Sequence, residues 1–290
     1  MKTPFHKVAL IGKYKSPEIA DSLHKLASFL SARGLDIVVD ALTAEHLPNL
    51  AYPAATLEEI SGHADLAIVL GGDGTLLNIA RTLAPCGVPL VGVNQGRLGF
   101  LTDISLDTMQ QTLADILEGD YVTDPRWLLQ TRVLRDGNEV FRALALNEMV
   151  VHRSNISSMI EFEVRINGEY LYTQRADGLI VSTPTGSTAY ALSAGGAIVQ
   201  PGLEVIELVP VCPHTLSNRP IVVRGDSVIE VLMHRTHDVR VRFDSHTWFD
   251  LNLHDTLEVT RYDKPVQLLH PKGHSYFRTL REKLLWNQSL

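Results

Sequence analysis

The period of the hydrophobic pattern changes near Pro125, and this change constrains the fold of the chain more than any other feature. In residues 1–124, short apolar runs at 8–11, 66–70 and 88–93 alternate with segments whose apolar residues recur every three or four positions. Strands that alternate with amphipathic helices are typical of a parallel sheet covered on both faces. We therefore predict an α/β domain with a parallel sheet over residues 1–124.

In the rest of the chain, apolar and polar residues alternate, which is typical of strands with one buried face. The alternation is clear over residues 162–166, and Asn167-Gly168, a pair typical of hairpin turns, follows directly. We predict a β-rich, mainly antiparallel domain over residues 125–274, with one helical interruption at 188–194. Apolar residues return to helical spacing over 277–284, which predicts a final amphipathic helix.

The composition excludes several functional classes. The 290-residue chain carries a net charge of −7, which disfavours nonspecific binding to nucleic acid or to anionic lipid. Cys86 and Cys212 lie far apart and form no Cys-x-x-Cys pair, which excludes a cysteine-built zinc site and favours a reducing compartment. No secretory signal is recognisable, and no apolar run approaches the roughly 20 residues that span a bilayer. We expect a cytoplasmic protein without membrane or nucleic-acid partners.

Three glycines surround one acidic residue in Gly71-Gly72-Asp73-Gly74, where an apolar run gives way to a helical segment. Glycines let backbone amides approach a ligand closely, and the N–H groups at a helix start attract phosphate. Asp73 would repel that phosphate unless it transfers a proton or binds a metal. The alternative is a tight turn in which Asp73 caps the helix. The position at the carboxyl end of a buried strand favours function.

A second segment of glycine and hydroxyl residues runs from Ser182 to Tyr190. It offers hydroxyl and amide donors but no lysine, so it is not a Walker A loop, and a polyphosphate would need Mg²⁺ or a distant arginine. Arg175 and Asp177 precede the segment and supply a cation and an acid. A capped loop beside a surface ion pair is the alternative, and on these residues alone it is the stronger interpretation.

Asn147-Glu148 interrupts an apolar pattern. Such a pair is costly to bury without partners, so it either breaks the strand or binds a polar group such as a ribose hydroxyl. His234 and His237 come closest to a histidine ligand pair, but no third ligand lies near them in the sequence, and we predict no metal site built from protein ligands.

Five segments together resemble the bacterial NAD kinases. They are Gly71-Gly72-Asp73-Gly74-Thr75 and residues 94–101, 147–148, 175–190 and 213–220. The block at 175–190 is highly specific, whereas lipid kinases and phosphofructokinases share the Gly-Gly-Asp-Gly core. The resemblance covers nearly the whole chain.

The resemblance implies transfer of the γ-phosphoryl group of ATP, or of inorganic polyphosphate, to the 2′-hydroxyl of the adenosine ribose of NAD, producing NADP. It implies Mg²⁺ carried with ATP, and a homodimer or homotetramer. It also implies that residues 275–290 return to the first domain and that residues 125–274 bind NAD. The choice of phosphoryl donor, the preference for NAD or NADH and inhibition by NADP or NADPH stay open.

The resemblance also implies a role for each matching residue. Asp73 would be the general base that removes the proton from the 2′-hydroxyl, Gly72 and Gly74 would present backbone donors to phosphate, and Asn147 with Glu148 would bind ribose hydroxyls. The other residues expected to bind the nucleotide are Arg175, Asp177, Thr188, Ala189, Tyr190, Ala191, Leu192, Ser193 and His246.

Two positions depart from the family pattern. His246 replaces a glutamine that often follows the Asp-Ser step, and Ser158 replaces a residue that is often basic. Two other classes remain as alternatives. A lipid or sugar kinase would share the glycine core, although a lipid kinase would present an apolar or basic membrane face. A nonenzymatic NAD sensor would have no need of Asp73.

Overall fold

In a computed structural model the chain forms two compact units, one of Met1–Pro125 with Val266–Leu290 and one of Arg126–Pro265. The structure describes residues 4–13, 19–47, 51–96, 98–154, 159–235 and 238–286. Arg97, Ser158 and His237 therefore lie outside the described residues.

The strands are β1 (Lys7–Gly12), β2 (Asp36–Asp40), β3 (Ala54–Ala55), β4 (Leu66–Leu70), β5 (Leu90–Asn94), β6 (Ile104–Ser105), β7 (Tyr121–Arg126), β8 (Leu129–Arg135), β9 (Asn138–Ala145), β10 (Glu148–Arg153), β11 (Ile160–Ile166), β12 (Glu169–Ala176), β13 (Gly178–Ser182), β14 (Val205–Val211), β15 (Ile221–Arg224), β16 (Ile229–Arg235), β17 (Val239–Phe243), β18 (Thr247–Leu251), β19 (Thr256–Arg261) and β20 (Val266–Pro271). The helices are α1 (Ala20–Ser31), α2 (Ala41–Ala44), α3 (Leu57–Ser61), α4 (Asp73–Leu83), α5 (Met109–Leu117), α6 (Tyr190–Ser193) and α7 (Tyr276–Lys283).

The first unit is built on one sheet, whose described strands lie in the order β3-β2-β1-β4-β5-β20-β7, with β6 beside β5. β1 pairs in parallel with β2 and β4, and β4 pairs in parallel with β5. The buried face of α1, with Leu23, Leu26 and Leu30 at helical spacing, packs in the same apolar cluster as β1 residues Val8 and Leu10. The predicted α/β domain with a parallel sheet is confirmed.

The second unit contains two antiparallel sheets, with the described strands in the orders β15-β14-β13-β10-β17-β18 and β12-β11-β16-β19-β8-β9. Alternate residues of β11, such as Phe162 and Val164, are buried in a shared apolar cluster. Asn167 and Gly168 join β11 to β12 with φ values of 53° and 79°, which fits the predicted hairpin turn. The helical interruption consists of a 3₁₀ turn at Gly186–Thr188 followed by α6. The predicted β-rich domain is confirmed.

The chain returns to the first unit at β20, before its final helix begins. The sequence predicted a boundary at residue 274, whereas the compact units divide at Val266, because β20 joins the sheet of the first unit. Leu268 of β20 pairs in parallel with Leu90 of β5, and Leu268 and Leu269 are buried. The predicted final helix, α7, follows in the same unit. No helix in the described part of the chain is long and apolar enough to cross a membrane.

Candidate active site

The glycine-rich segment lies at the point where the strand order of the first sheet reverses. From β1 the chain adds β2 and β3 on one side, and then β4 and β5 on the other. The carboxyl ends of β1 and β4 are aligned, since Gly12 pairs with Leu70. Open parallel sheets bind ligands in the crevice at such a reversal. The topology therefore places Gly71-Gly72-Asp73-Gly74, which follows β4, at the usual ligand edge of the sheet.

Helix α4 begins at Asp73, and extended Gly72, with φ −99° and ψ −179°, is its N-cap residue. The alternative in which Asp73 caps the helix is therefore wrong. Gly72 and Gly74 are exposed, and nothing lies within 4 Å of where their Cβ atoms would be. The first N–H groups of a helix lack intrahelical partners and favour an anion, so the exposed glycine backbone suits a phosphate group.

The Asp73 carboxylate accepts hydrogen bonds from three successive backbone amides. Oδ2 accepts from the N–H of Phe100 at 2.8 Å, while Oδ1 accepts from the N–H groups of Leu101 at 3.0 Å and Thr102 at 3.2 Å. The Thr102 hydroxyl donates a further bond to Oδ1 at 3.1 Å. Among the described residues, Oδ2 thus accepts a single bond, which leaves this oxygen able to accept a proton or another hydrogen bond.

Gly99 allows the turn that carries these donors to lie against the carboxylate. A Cβ atom at Gly99 would collide with Asp73 Oδ1 and with the Thr102 hydroxyl. The turn closes with a bond from the Gly99 N–H to the Thr102 carbonyl at 2.9 Å, and the Asn94 side chain donates to Thr102 Oγ1 at 3.1 Å. Asn94, Gly99, Phe100 and Leu101, from the segment that the sequence singled out, thus form part of the surroundings of Asp73.

In the second unit, Asp244 holds the backbone of the Asn147-Glu148 pair. Its carboxylate accepts from the N–H groups of Leu146 at 2.7 Å, Asn147 at 2.8 Å and Glu148 at 3.1 Å. Asp244 is 4% exposed and has a positive φ of 48°. Sequence reasoning singled out the Asp244-Ser245 step only for the residue after it and missed this role. Nothing in the spacing indicates that a residue almost one hundred positions away binds this turn.

The polar pair both interrupts the strand and leaves a polar group available for a ligand. Asn147 lies between β9 and β10, whereas Glu148 begins β10 and is 6% exposed. Burial, together with the nearby charge of Asp244, raises the pKa of Glu148 to about 8. Among the described residues no group bonds the buried Oε2 of Glu148. A protonated carboxyl at this position can donate one hydrogen bond and accept another.

The hydroxyl groups between Ser182 and Ser187 bond mainly to the backbone of the same unit. The Thr183 hydroxyl donates to the Leu146 carbonyl at 2.6 Å, and the Ser187 hydroxyl donates to the Pro184 carbonyl at 2.7 Å. A Cβ atom at Gly186 would collide with the Asn147 carbonyl, so glycine is required for this approach. The capped-loop interpretation is correct for these hydroxyls, and their contacts support the turn that carries Asn147 and Glu148.

A cavity of about 420 Å³ opens in the second unit. Acidic, basic and hydroxyl side chains line it, among them Glu148, Arg153, Asp177, Tyr190, Arg242 and Ser245. This volume is in the usual range for small-molecule sites, about 300–1,000 Å³. The cavity thus brings together Glu148, Asp177 and Tyr190 from two of the five segments that the sequence singled out, 147–148 and 175–190.

The other residues predicted to bind the nucleotide differ in their exposure and in their contacts. Asp177 forms an ion pair with Arg153 at 3.1 Å, whereas Arg175 is exposed and forms an ion pair with Glu161 at 2.7 Å, so the suggested pair between Arg175 and Asp177 is not observed. His246 Nδ1 donates a hydrogen bond to the Asp244 backbone carbonyl at 2.7 Å. From residue 188 to residue 193, Ala191 is buried and Tyr190 and Ser193 are exposed.

One group in the described residues brings three possible metal ligands together, namely Asp103, His270 and His274, whose ligand atoms lie within 4.8 Å of one another. The sequence missed this cluster because 167 positions separate Asp103 from His270. The two imidazole rings are stacked, with centroids 3.9 Å apart and an angle of 13° between their planes. Ring lone pairs lie in the ring planes, so they run nearly parallel instead of converging on one ion about 2.0–2.1 Å away.

The comparison with protein families agrees with the motifs and the fold. The ATP-NAD kinase N-terminal domain matches residues 8–121, and the ATP-NAD kinase C-terminal domain matches residues 146–270. The chain belongs to the ATP-NAD kinase family. The resemblance predicted from the sequence is confirmed, and the kinase is an enzyme of the phosphotransferase class.

Relatives and solved structures match nearly the whole kinase. The NAD kinase of Nitrosomonas europaea is 57% identical over 98% of this chain and 96% of its own length, and that of Nitrosomonas eutropha is 58% identical over 99% and 97%. Yeast NADH kinase, solved with NADH, superposes with a TM-score of 0.91 at 26% identity, covering all of this chain and 90% of its own. An NAD kinase from Archaeoglobus fulgidus, solved with ATP, gives 0.73 at 26% identity over 96% and 98%.

Proposed function

We propose that the kinase transfers the γ-phosphoryl group of ATP to the 2′-hydroxyl of the adenosine ribose of NAD, producing NADP, with Asp73 as the general base. The observation that carries the proposal is the carboxylate of Asp73, fixed at the start of α4 by four donors and with only one of them on Oδ2. Oδ2 accepts the proton of the 2′-hydroxyl as the hydroxyl oxygen attacks the γ-phosphorus of ATP, and the bond from that phosphorus to the β–γ bridging oxygen breaks, which releases ADP. Inorganic polyphosphate is a second donor with the same terminal phosphoryl chemistry.

Phosphoryl transfer depends mostly on positioning and on stabilisation of charge, and the glycine-rich turn suits the donor. Backbone N–H groups near Gly72 and Gly74 bind phosphate oxygens at the start of α4. Mg²⁺ carried with ATP would neutralise phosphate charge. Oδ1 of Asp73 already accepts three bonds and Oδ2 one, so Oδ2 is the carboxylate oxygen that would accept a further hydrogen bond from a water molecule of the hydrated ion.

Asn147 and Glu148 bind the acceptor. Asp244 fixes their backbone, and the buried, protonated carboxyl of Glu148 can donate to one ribose hydroxyl while the Asn147 amide bonds another. Tyr190 and Asp177 line the same cavity as Glu148. For the other residues from Thr188 to Ser193 we propose contacts with the nucleotide from their place in the chain next to Tyr190. Arg153 and Arg242 line it as well and suit the pyrophosphate of a dinucleotide. We propose that Arg175 and His246 also bind the nucleotide.

The family resemblance further supports a homodimer or homotetramer, and light scattering of the purified protein can test this oligomeric state. It also supports a location in the cytoplasm. Cys86 and Cys212 are both free and exposed, as expected in a reducing compartment.

The decisive experiment compares Asp73→Asn with Thr102→Val in a coupled assay of NADP formation. An asparagine at position 73 keeps an oxygen for the Thr102 and Leu101 donors but cannot take a proton, so we expect NAD binding to persist and turnover to fall by about 10²–10⁴-fold. Thr102→Val removes the hydroxyl that donates to Oδ1 and accepts from the Asn94 side chain, but it keeps the Asp73 carboxylate and its three backbone donors, so we expect a loss below about tenfold. Equal losses in both variants would mean that Asp73 only supports the turn, and near-normal turnover in Asp73→Asn would exclude it as the base.

A further inference from the structure

The cluster of Asp103, His270 and His274 lies one residue beyond the amides that hold the Asp73 carboxylate. The N–H groups of Phe100, Leu101 and Thr102 bond Asp73, and Asp103 follows Thr102 directly. The planar peptide group that links Thr102 to Asp103 contains the Thr102 carbonyl, which accepts the bond from the Gly99 N–H at 2.9 Å, so a shift of the Asp103 backbone disturbs the closure of the turn that carries the donors. The position of Asp103 therefore affects the geometry at Asp73.

Two histidines of the C-terminal segment hold Asp103 in place. Asp103 Oδ2 accepts a hydrogen bond from His270 Nδ1 at 3.0 Å, at the end of β20, and one from His274 Nδ1 at 2.8 Å, just before α7. The side chain of His270 is 1% exposed, and that of Asp103 is 8% exposed. Few solvent molecules can compete for these bonds, so they constrain Asp103 more than surface bonds would.

A further contact joins the same two segments. The Lys283 ammonium of α7 lies 5.9 Å from the centroid of the Phe100 ring, within the range of a cation–π interaction. The C-terminal segment therefore contacts the turn at both Phe100 and Asp103, on either side of the Leu101 and Thr102 donors.

We propose that Asp103, His270 and His274 are positioning residues, which hold the turn at residues 99–103 so that its amides keep the Asp73 carboxylate in its reactive orientation. The inference rests on the proposed role of Asp73 as the base. It assigns a catalytic purpose to the return of β20 and α7, because these elements bring the two histidines to Asp103.

The charges of the cluster support this arrangement. Burial opposes a charge on His270, but the hydrogen bonds and charges of Asp103 and Asp124 outweigh it and raise the pKa of His270 to about 8. Burial likewise opposes a charge on Asp103, but the two histidines lower the pKa of that carboxyl to about 2. His270 therefore donates a charge-assisted hydrogen bond to Asp103 near neutral pH, which is stronger than a bond between neutral groups.

The test measures kcat and KM for Asp103→Asn, His270→Asn and His270→Leu, well below the unfolding temperature of each variant. Misplacement of a reacting group by about 1 Å can cost about 10²-fold, so we expect kcat to fall by about 10–100-fold in Asp103→Asn and His270→Leu, with KM for NAD within about twofold. His270→Asn keeps an N–H donor near the position of Nδ1, and we expect it to recover most of the lost kcat. Faster hydrogen exchange at Leu101 and Thr102 in Asp103→Asn should accompany the loss.

Two control variants separate a loss of positioning from other causes of low activity. Glu163→Gln removes an acid that contacts His234 at 3.4 Å in the other unit, and it should leave kcat unchanged. Asp73→Asn tests the base separately. If Asp73→Asn is inactive while Asp103→Asn and His270→Leu keep kcat within about twofold, the positioning role is wrong and the base assignment stands. If Asp73→Asn is active, the assignment of Asp73 as the base is wrong, and the positioning proposal that rests on it is wrong as well. Stoichiometric Zn²⁺ in the purified protein that is lost in His270→Asn would also overturn the proposal.

Discussion

Replacement of Glu148 by glutamine should remove a large pH dependence of stability. The carboxyl is buried and lies near Asp244, and its pKa is raised from an ordinary value of 4.5 to about 8. Because the folded-state pKa is the higher one, the folded protein holds this proton between these two values while the unfolded chain has lost it. Stability is therefore lost as the pH rises from about 4.5 to about 8. Glutamine has the same shape but no proton to lose.

The size of the effect follows from the two pKa values. At about 1.36 kcal/mol for each pH unit, the interval from 4.5 to about 8 corresponds to about 5 kcal/mol as an upper bound. We expect the free energy of unfolding of Glu148→Gln to exceed that of the wild type by an amount that grows with pH and levels off above about pH 8. This is a large fraction of the free energy of unfolding of a typical protein, which is roughly 5–15 kcal/mol.

Urea unfolding between about pH 5 and about pH 9 would measure this difference, with the fluorescence of Trp127 and Trp248 reporting on the second unit. The raised pKa of His270 also makes stability fall as the pH rises from 6.5 to about 8, but His270 lies in the other unit and its contribution cancels between variant and wild type. Glu169→Gln, at an exposed position of β12, is the matched control. A difference between Glu148→Gln and wild type that stays constant across this pH range would refute the reasoning.

The other two predictions concern two backbone turns, one held by Asp244 in the second unit and one that contains Gly99 in the first. In Asp244→Asn, one of the three amide donors would face an N–H group, so we expect a loss of about 2–3 kcal/mol in urea unfolding and, because a negative charge beside Glu148 is removed, a pKa of Glu148 below its wild-type value. A pH dependence of stability that is the same as in the wild type would contradict this. In Gly99→Ala, the new methyl group would collide with Asp73 Oδ1, so we expect kcat to fall by about 10–100-fold with NAD binding retained, measured by the coupled assay and calorimetry. Unchanged kcat would mean that the turn tolerates the shift without moving Asp73.

The elements with a strong local pattern could be predicted from the sequence. β4 spans the apolar run at 66–70, and Asn167-Gly168 closes the hairpin between β11 and β12, because both depend on residues close together in the chain. The sequence prediction included residues 266–271 in the β-rich domain, whereas the structure has β20 in the sheet of the first unit. Its apolar residues suit either sheet, and only its pairing with β5, about 180 positions away, decides which unit it joins.

The candidate site was predicted in its residue types but not in its contacts. Asp73, Asn147 and Glu148 were singled out because glycines or apolar residues surround them, which is a local signal. The donors to Asp73 are backbone N–H groups, which every residue except proline carries, so no residue type marks them. The role of Asp244 was missed for the same reason, since its partners are the amides of Leu146, Asn147 and Glu148.

Each unit, taken by itself, uses an acidic side chain to fix a turn of backbone amides. Asp73 holds residues 100–102 in the first unit, and Asp244 holds residues 146–148 in the second. A carboxylate can accept several hydrogen bonds at once and, unlike an apolar contact, constrains their direction. This suits phosphoryl transfer, in which catalysis depends on the orientation of groups more than on covalent chemistry by the protein. The two acids differ in what their hydrogen bonds leave available. Asp73 keeps one oxygen able to accept a proton, whereas Asp244 holds the turn at residues 146–148 and raises the pKa of its neighbour Glu148.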